Sequence, residues 1–193
     1  MTDQNFYELR NCGVTSFQVL SEGECNRLIQ EASSYTFKVA KQHVGARNVE
    51  QRFSEITIDR NRSAHIHKAV SGIQKYISTK IVEYGGGQCF KTPLDFQEIR
   101  VHKYPVGGFL TYHRDHKEFK NIIVSVLLRG ESCFYVADDS GGTNERLIEA
   151  KIGYAIVLAT SGFFGKNIQP NHCIANVATE RWSLGMRDGI FVQ

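Results

Sequence analysis

From Asp95 onward the chain is a succession of short, alternating apolar segments, and this feature constrains the fold more than any other. The segments are "DFQEIRVHKY", "GGFLTYHRD", "NIIVSVLL", "SCFYVADD", "LIEAKIGYAIVLAT", "HCIANVA" and "RWSLGMRDGIFV", separated by Gly, Asn and Asp. Side chains on a strand point alternately to opposite faces, so strands this short bury an apolar face only by packing sheet against sheet or helix. Their close spacing predicts a β-sandwich or jelly roll.

Upstream the apolar period changes to that of a helix. Ser21 with Glu24 three residues on forms a capping box, and Cys25, Leu28, Ile29 and Ala32 follow at helical spacing, which predicts a helix over Ser21 to Ser33. A second helix is marked by Ile66, Ala69, Val70, Ile73, Tyr76, Ile77 and Ile81, and the glycines 85, 86 and 87 end it. Both stripes need a partner surface, and one outer face of the sheets supplies it. Between the helices lies a polar segment holding Arg47, Arg52, Arg60 and Arg62 around "SEITI", read as a short strand in a loop. The expected fold is α+β: helical support and a loop over about residues 15–90 and a jelly-roll core over about 95–193, in a single domain spanning residues 1–193.

Composition is consistent with one core, since 41% of the 193 residues are hydrophobic. The net charge of +3 neither demands nor excludes an anionic partner. Five scattered cysteines without CxxC spacing imply neither a disulfide framework nor a zinc knuckle, so a reducing compartment is expected. The segment "MTDQNFYELRNCG" lacks a signal-peptide pattern, and no stretch approaches the roughly 18 apolar residues of a membrane span. A cytoplasmic protein with no membrane partner is expected.

The segment "TYHRDH" concentrates the chemistry. On a strand His113 and Asp115 project to one face and Arg114 and His116 to the other. An imidazole beside a carboxylate suits a divalent transition metal, and His172 in "QPNHCIANV" is the candidate third ligand. Two histidines and one carboxylate with open positions match non-haem Fe(II) oxygenases, whereas a structural zinc site would want four ligands. Further on, Arg181, Ser183 and Arg187 share one parity, and a basic strand end near a metal can hold a dicarboxylate through paired charge-assisted bonds.

Taken together, "HRD", "IGYAIVL" and "HCIANVATERWSL" resemble the His-x-Asp, Gly, His and Arg signature of the Fe(II)/2-oxoglutarate-dependent oxygenase superfamily. The segments "VLSEGECNRLIQEA", "RFS" and "IRVHKYPVGGFLTYHRD" resemble its prolyl 4-hydroxylase-like branch, so that the likeness runs from about Val19 to Arg187. The resemblance implies a double-stranded β-helix, cupin-like, with the helices on one sheet. It implies Fe(II) held by His113, Asp115 and His172, with 2-oxoglutarate and O2 as co-substrates. Arg181 would take the distal carboxylate of 2-oxoglutarate, with Tyr104 and Ser183 as further co-substrate contacts. Apart from the resemblance, Arg47 and Arg52 in the polar loop are read either as lining a substrate entrance or as solvated surface. The implied reaction hydroxylates a C–H bond of a peptide or amino-acid side chain and releases succinate and CO2, with no side-chain general base.

Two departures weigh against the prolyl branch. The strand "NIIVSVLL" has no tyrosine where many prolyl hydroxylases supply one, and "LLRG" is not followed by their glycine-rich acidic segment. The ending "RWSLGMR" instead resembles AlkB-like nucleic-acid demethylases, which makes a nucleobase oxidation and a nucleic-acid partner the alternative. A non-catalytic cupin-like binding module is a third reading, opposed by Asp115 and Arg181. Elsewhere, Cys173 is expected in the core, His65 and His67 on a helix without a metal, and Asp138 and Asp139 in a turn.

Overall fold

Both expected helices form, and the caps explain where they begin. In the computed structural model, which describes residues 1–45, 48–59, 63–85, 89–90, 92–160, 162–166 and 168–189, a helix spans Glu22–Ala32 behind the Ser21–Glu24 capping box. The long helix spans Ala64–Gly85 and buries Ile66, Val70, Ile73, Ile77 and Ile81. A further helix, Asp3–Cys12, stands ahead of them in a segment too polar for its stripe to be read; only Phe6 and Leu9 are buried in it. Thr2 and Asn5 cap its start, and Gly13 closes it at φ 72°. In chain order these helices are α1 (Asp3–Cys12), α2 (Glu22–Ala32) and α3 (Ala64–Gly85).

The expectation that the first half is helical apart from one short strand is corrected. The expected short strand at "SEITI" is β5 (Ser54–Thr57), but that half also contributes β1 (Val14–Gln18), β2 (Lys38–Val39), β3 (His43–Val44) and β4 (Val49–Arg52). The segment read as a loop is largely hairpin, because β2 pairs with β5 and β4 adds to the sheet edge beside Phe109 and Leu110. The second half supplies β6 (Phe96–Tyr104), β7 (Phe109–His113), β8 (Lys120–Arg129), β9 (Cys133–Ala137), β10 (Arg146–Ile148), β11 (Tyr154–Ala159), β12 (Asn171–Ala175) and β13 (Arg181–Asp188). The stretch "LIEAKIGYAIVLAT", read as one strand, is two, and Gly153 marks the break. At its φ of 82° a Cβ would stand 2.1 Å from the Leu20 carbonyl oxygen, a position only glycine can hold.

Two antiparallel sheets result, a seven-stranded one ordered β1-β11-β8-β13-β6-β5-β2 and a six-stranded one ordered β10-β9-β12-β7-β4-β3. The outer face of the larger sheet, with Ile99, Val101, Val124, Val126, Leu184 and Met186, packs against the apolar stripes of α2 and α3 in one cluster. The inner face meets the smaller sheet, where Phe53, Tyr104, Ile123, Phe134, Ile156, Leu158 and Ile174 form a second cluster. This is the expected jelly roll with helices on one sheet. The inner layer holds the candidate site.

Candidate metal centre

His113 ends β7 and His172 lies directly opposite it on β12, so the cross-strand register itself brings the two imidazoles together. Their ring centroids are 4.3 Å apart. Asp115 lies beyond the end of β7, so strand alternation alone does not place it. Gln169 donates to its backbone carbonyl at 3.0 Å, and Arg187 meets its carboxylate. One ligand atom from each of His113, Asp115 and His172 falls within 4.8 Å of the others, the only such group among the described residues.

The donors are prepared for a cation. His113 Nδ1 is 2.9 Å from the Thr111 carbonyl oxygen, an arrangement that puts the proton on Nδ1 and leaves the Nε2 lone pair free. His172 stacks on Phe134, with ring centroids 5.5 Å apart and planes 11° apart, and its Nε2 is 3.3 Å from Asp115 Oδ2. Burial, reinforced by His113, pushes the His172 pKa down to about 4. The imidazole is therefore neutral at pH 7 and available as a ligand. Burial by itself would raise the Asp115 pKa, but His172, Arg187 and His113 together hold it below the usual carboxylate value. With His172 neutral, the standing positive charge beside Asp115 is Arg187, whose Nε lies 3.4 Å from Oδ1.

Arg181 lies across the interior on β13, 1% exposed. Its Nε donates to Ser132 Oγ and its Nη1 to Ser183 Oγ, both at 2.9 Å, and its guanidinium carbon sits 4.9 Å from the Tyr104 ring centroid. Among the described residues no carboxylate pairs with it, and burial lowers its pKa from the ordinary arginine value. A guanidinium desolvated on two hydroxyls and a ring face is a strong anion site. Tyr104 is buried with it, its phenol pushed up to about 12 by that burial. Ser183 and Tyr104 both contact Arg181.

Arg52 is exposed and lines, with Phe53, Pro105 and Phe109, a cavity of about 430 Å³ at the rim. Phe53 also touches Tyr104, ring centroids 4.8 Å apart, so this cavity adjoins the interior. Arg47 lies outside the described residues. His65 and His67 are on α3 away from any ligand group among the described residues, Cys173 is buried, and Asp139 accepts from Gly141 and Thr143 in a turn.

Sequence reasoning missed a polar stripe on β6. Glu98, Arg100, His102 and Tyr104 share its inner face, opposite Arg187, Gly185, Ser183 and Arg181 on β13. His102 is 8% exposed, edge-on to Phe53, and its pKa is held well below the ordinary value by burial and by Arg187, Arg100 and Arg181. Gly185 keeps the interior open at this level, since a Cβ there would stand 3.0 Å from His102 Cε1. Three polar residues, Glu98, Arg100 and His102, alternating with Ile99 and Val101 in "EIRVHKY" were the available signal.

No protein-family model and no curated protein matches the chain. Solved structures do. A prolyl-4-hydroxylase from Pseudomonas putida matches over 99% of this chain and 100% of its own, with TM-score 0.70 and 14% identity. A prolyl hydroxylase from Trichoplax adhaerens, in complex with a fragment of the hypoxia inducible factor oxygen degradation domain, matches over 95% of this chain and 87% of its own, with TM-score 0.67 and 14% identity. The viral collagen prolyl hydroxylase of Paramecium Bursaria Chlorella virus-1, with 2OG bound, matches over 92% of this chain and 96% of its own, with TM-score 0.66 and 14% identity. The chain therefore has the double-stranded β-helix fold of prolyl 4-hydroxylases.

Proposed function

We propose that the protein is an Fe(II)- and 2-oxoglutarate-dependent hydroxylase of a C–H bond in a peptide or amino-acid side chain. One observation carries this reading: a His-Asp-His group and a buried guanidinium with no carboxylate partner among the described residues share one interior. Two imidazoles and one carboxylate leave metal positions open, which suits Fe(II) in an oxygenase better than a closed structural zinc. His113 and His172 would each supply Nε2, and Asp115 one carboxylate oxygen. When bound, Fe(II) with 2-oxoglutarate and O2 supplies the oxidising power, releasing succinate and CO2 and leaving one oxygen atom on the substrate.

The protein's own residues orient and insulate that chemistry. Arg181, steadied by Ser132, Ser183 and Tyr104, takes the distal carboxylate of the co-substrate. Phe134, Ile156, Leu158 and Ile174 keep the interior dry, which strengthens every charge interaction within it. The local charges support a dication and a dianion entering together. Arg100, Arg181 and Arg187 match Glu55, Glu98 and Asp115 in number, so Fe(II) and doubly negative 2-oxoglutarate arriving as a pair would leave the sum of these charges unchanged.

A peptide is favoured as substrate by the rim cavity, where Val39, Ala40, Phe53, Pro105 and Phe109 offer apolar contacts and Gln42, Gln51 and Arg52 surround them. Two of the matched structures point the same way, one being a collagen prolyl hydroxylase and the other holding a peptide fragment.

The test incubates the Fe(II)-loaded protein and 2-oxoglutarate with proline-containing peptides, free amino acids, or single- and double-stranded oligonucleotides. Succinate release and a peptide or amino acid heavier by one oxygen are expected. Oxidation or demethylation of a base alone would replace the substrate class with the AlkB-like one. A charge-assisted hydrogen bond contributes about 1.5–3 kcal/mol, so Arg181→Ala weakens 2-oxoglutarate about ten- to a hundredfold with metal still bound. If Arg187→Ala weakened it by that much and Arg181→Ala did not, the anchor would be Arg187.

A further inference from the structure

The helix-covered side of the larger sheet holds a cavity that the metal centre does not use. It measures about 690 Å³ and opens between α2 and α3, beside the end of β1. Leu28 of α2, Ala69 and Ile73 of α3, and Val19 and Leu20 just past β1 give it apolar walls. On α3 the lining runs from His65 to Tyr76 along one helix face, about 16 Å in length. Leu28 and Ile73 belong to the outer cluster, so the larger sheet stands between this groove and His113, Asp115 and His172.

Two features of the groove are not required by the fold. Glycine is the least favourable residue after proline inside a helix, yet Gly72 lies well within α3 and lines the groove. A Cβ there would meet nothing within 4 Å, so no close packing demands the glycine, and what the missing side chain provides is width. The second feature is charge. Arg27 on one wall and Lys68 on the other are exposed, and among the described residues neither is in an ion pair. Glu24 also lines the groove, but its Oε2 is committed to the start of α2, accepting from the Ser21 amide at 2.8 Å and the Ser21 hydroxyl at 2.7 Å. Arg27 and Lys68 against Glu24 leave one positive charge in excess, which a single carboxylate neutralises.

We infer that the groove between α2 and α3 binds a small monocarboxylate with an apolar chain: the chain lies over Gly72 against Leu28, Ala69 and Ile73, and Arg27 and Lys68 take the carboxylate. Its volume, and its mainly apolar walls with a few polar groups, are those of a small-molecule site. The inference does not depend on the chemistry of the metal centre.

The test titrates the isotope-labelled full chain with decanoate, decyltrimethylammonium or acetate, each below micelle formation, and follows the backbone amides by NMR. Decanoate is expected to saturate one site and to shift amides of residues 18–20, 24–28 and 65–76. Decyltrimethylammonium, with the opposite charge, is expected to bind about fivefold more weakly, since two exposed ion pairs are lost. Acetate, which lacks the chain, is expected to bind at least about tenfold more weakly. Gly72→Leu fills the groove while improving helix propensity, and is expected to weaken decanoate at least about tenfold with the unfolding midpoint unchanged or raised. Arg27→Glu/Lys68→Glu is expected to reverse the preference, so that decyltrimethylammonium binds better than decanoate. Both of its positions are exposed, so this variant carries the test if Gly72→Leu does not fold. The inference is overturned if decanoate binds nowhere, if its shifts cluster at the rim cavity or scatter over the chain, if folded Gly72→Leu binds it as the wild type does, or if the charge-reversed variant still prefers the anion. Groove shifts that grow with protein concentration in the absence of ligand would also overturn it, by giving the groove to a second copy of the chain.

Discussion

The two faces of the larger sheet use the same strands for opposite purposes. Along β6, Ile99 and Val101 point outward into the helix-covered core, while Glu98, Arg100, His102 and Tyr104 point inward. Along β13, Trp182, Leu184 and Met186 belong to the outer cluster, and Arg181, Ser183, Gly185 and Arg187 to the inner face. The outer face gains stability by removing apolar surface from water. On β5, β6 and β13, together with Asp115, the inner face does the reverse, drawing three guanidiniums and three carboxylates wholly or partly out of water, a cost offset by close pairing or, in buried Arg181, by two hydroxyls and a ring. The comparison teaches that stability and chemistry are separated here by residue parity rather than by region.

The sharpest way to break that separation is at the triad. His172→Ala is expected to abolish metal-dependent turnover and bound metal while secondary structure by circular dichroism and the unfolding midpoint of the metal-free protein change little. Full metal occupancy with normal turnover would remove His172 from the site. On the other face, Leu184→Ala deletes a fully buried side chain among the sheet-to-helix contacts and is expected to cost about 2–5 kcal/mol in denaturant unfolding. Metal affinity of the folded fraction should stay near wild type. A large drop in that affinity would mean that the two faces are coupled through the strand.

A smaller effect sharpens the inner side of the comparison. His102 has its pKa held below the ordinary 6.5 by burial first and by neighbouring arginines second. The unfolded chain therefore takes up a proton below about pH 6.5 that the folded chain refuses, so this contribution is complete above that pH and is lost as pH falls below it. His102→Gln is expected to unfold with a shallower pH dependence between about pH 6.5 and 5. An unchanged slope would mean that His102 accepts a proton in the folded state.

Much of the outer face was legible in the sequence, because periodicity and caps are local. Ser21 and Glu24 announce α2, and the isoleucines from 66 to 81 announce α3, since the geometry of one helix turn suffices to relate them. Where the local signal was thin, the reading failed. Too few apolar residues mark α1, β2 to β4 are strands of only two to four residues, and the break at Gly153 is imposed by the Leu20 carbonyl, far away in the chain.

The chemistry divides in the same manner. The residue types at positions 113, 115, 172 and 181, and their order in a strand-rich chain, were sufficient to nominate a metal group and an anion anchor. Alternation on β13 also put Arg181, Ser183 and Arg187 on one face. Tertiary structure alone decided that Asp115, past the end of its strand, turns back toward His172, and that Arg187 reaches Asp115 while Arg181 is held by two hydroxyls and, among the described residues, by no carboxylate. It alone joined Glu55, Glu98 and Arg100 to that centre. The physical reason is range: parity and capping act between near neighbours in the chain, whereas which buried charge meets which depends on sheet register and on the spacing between strands far apart in sequence.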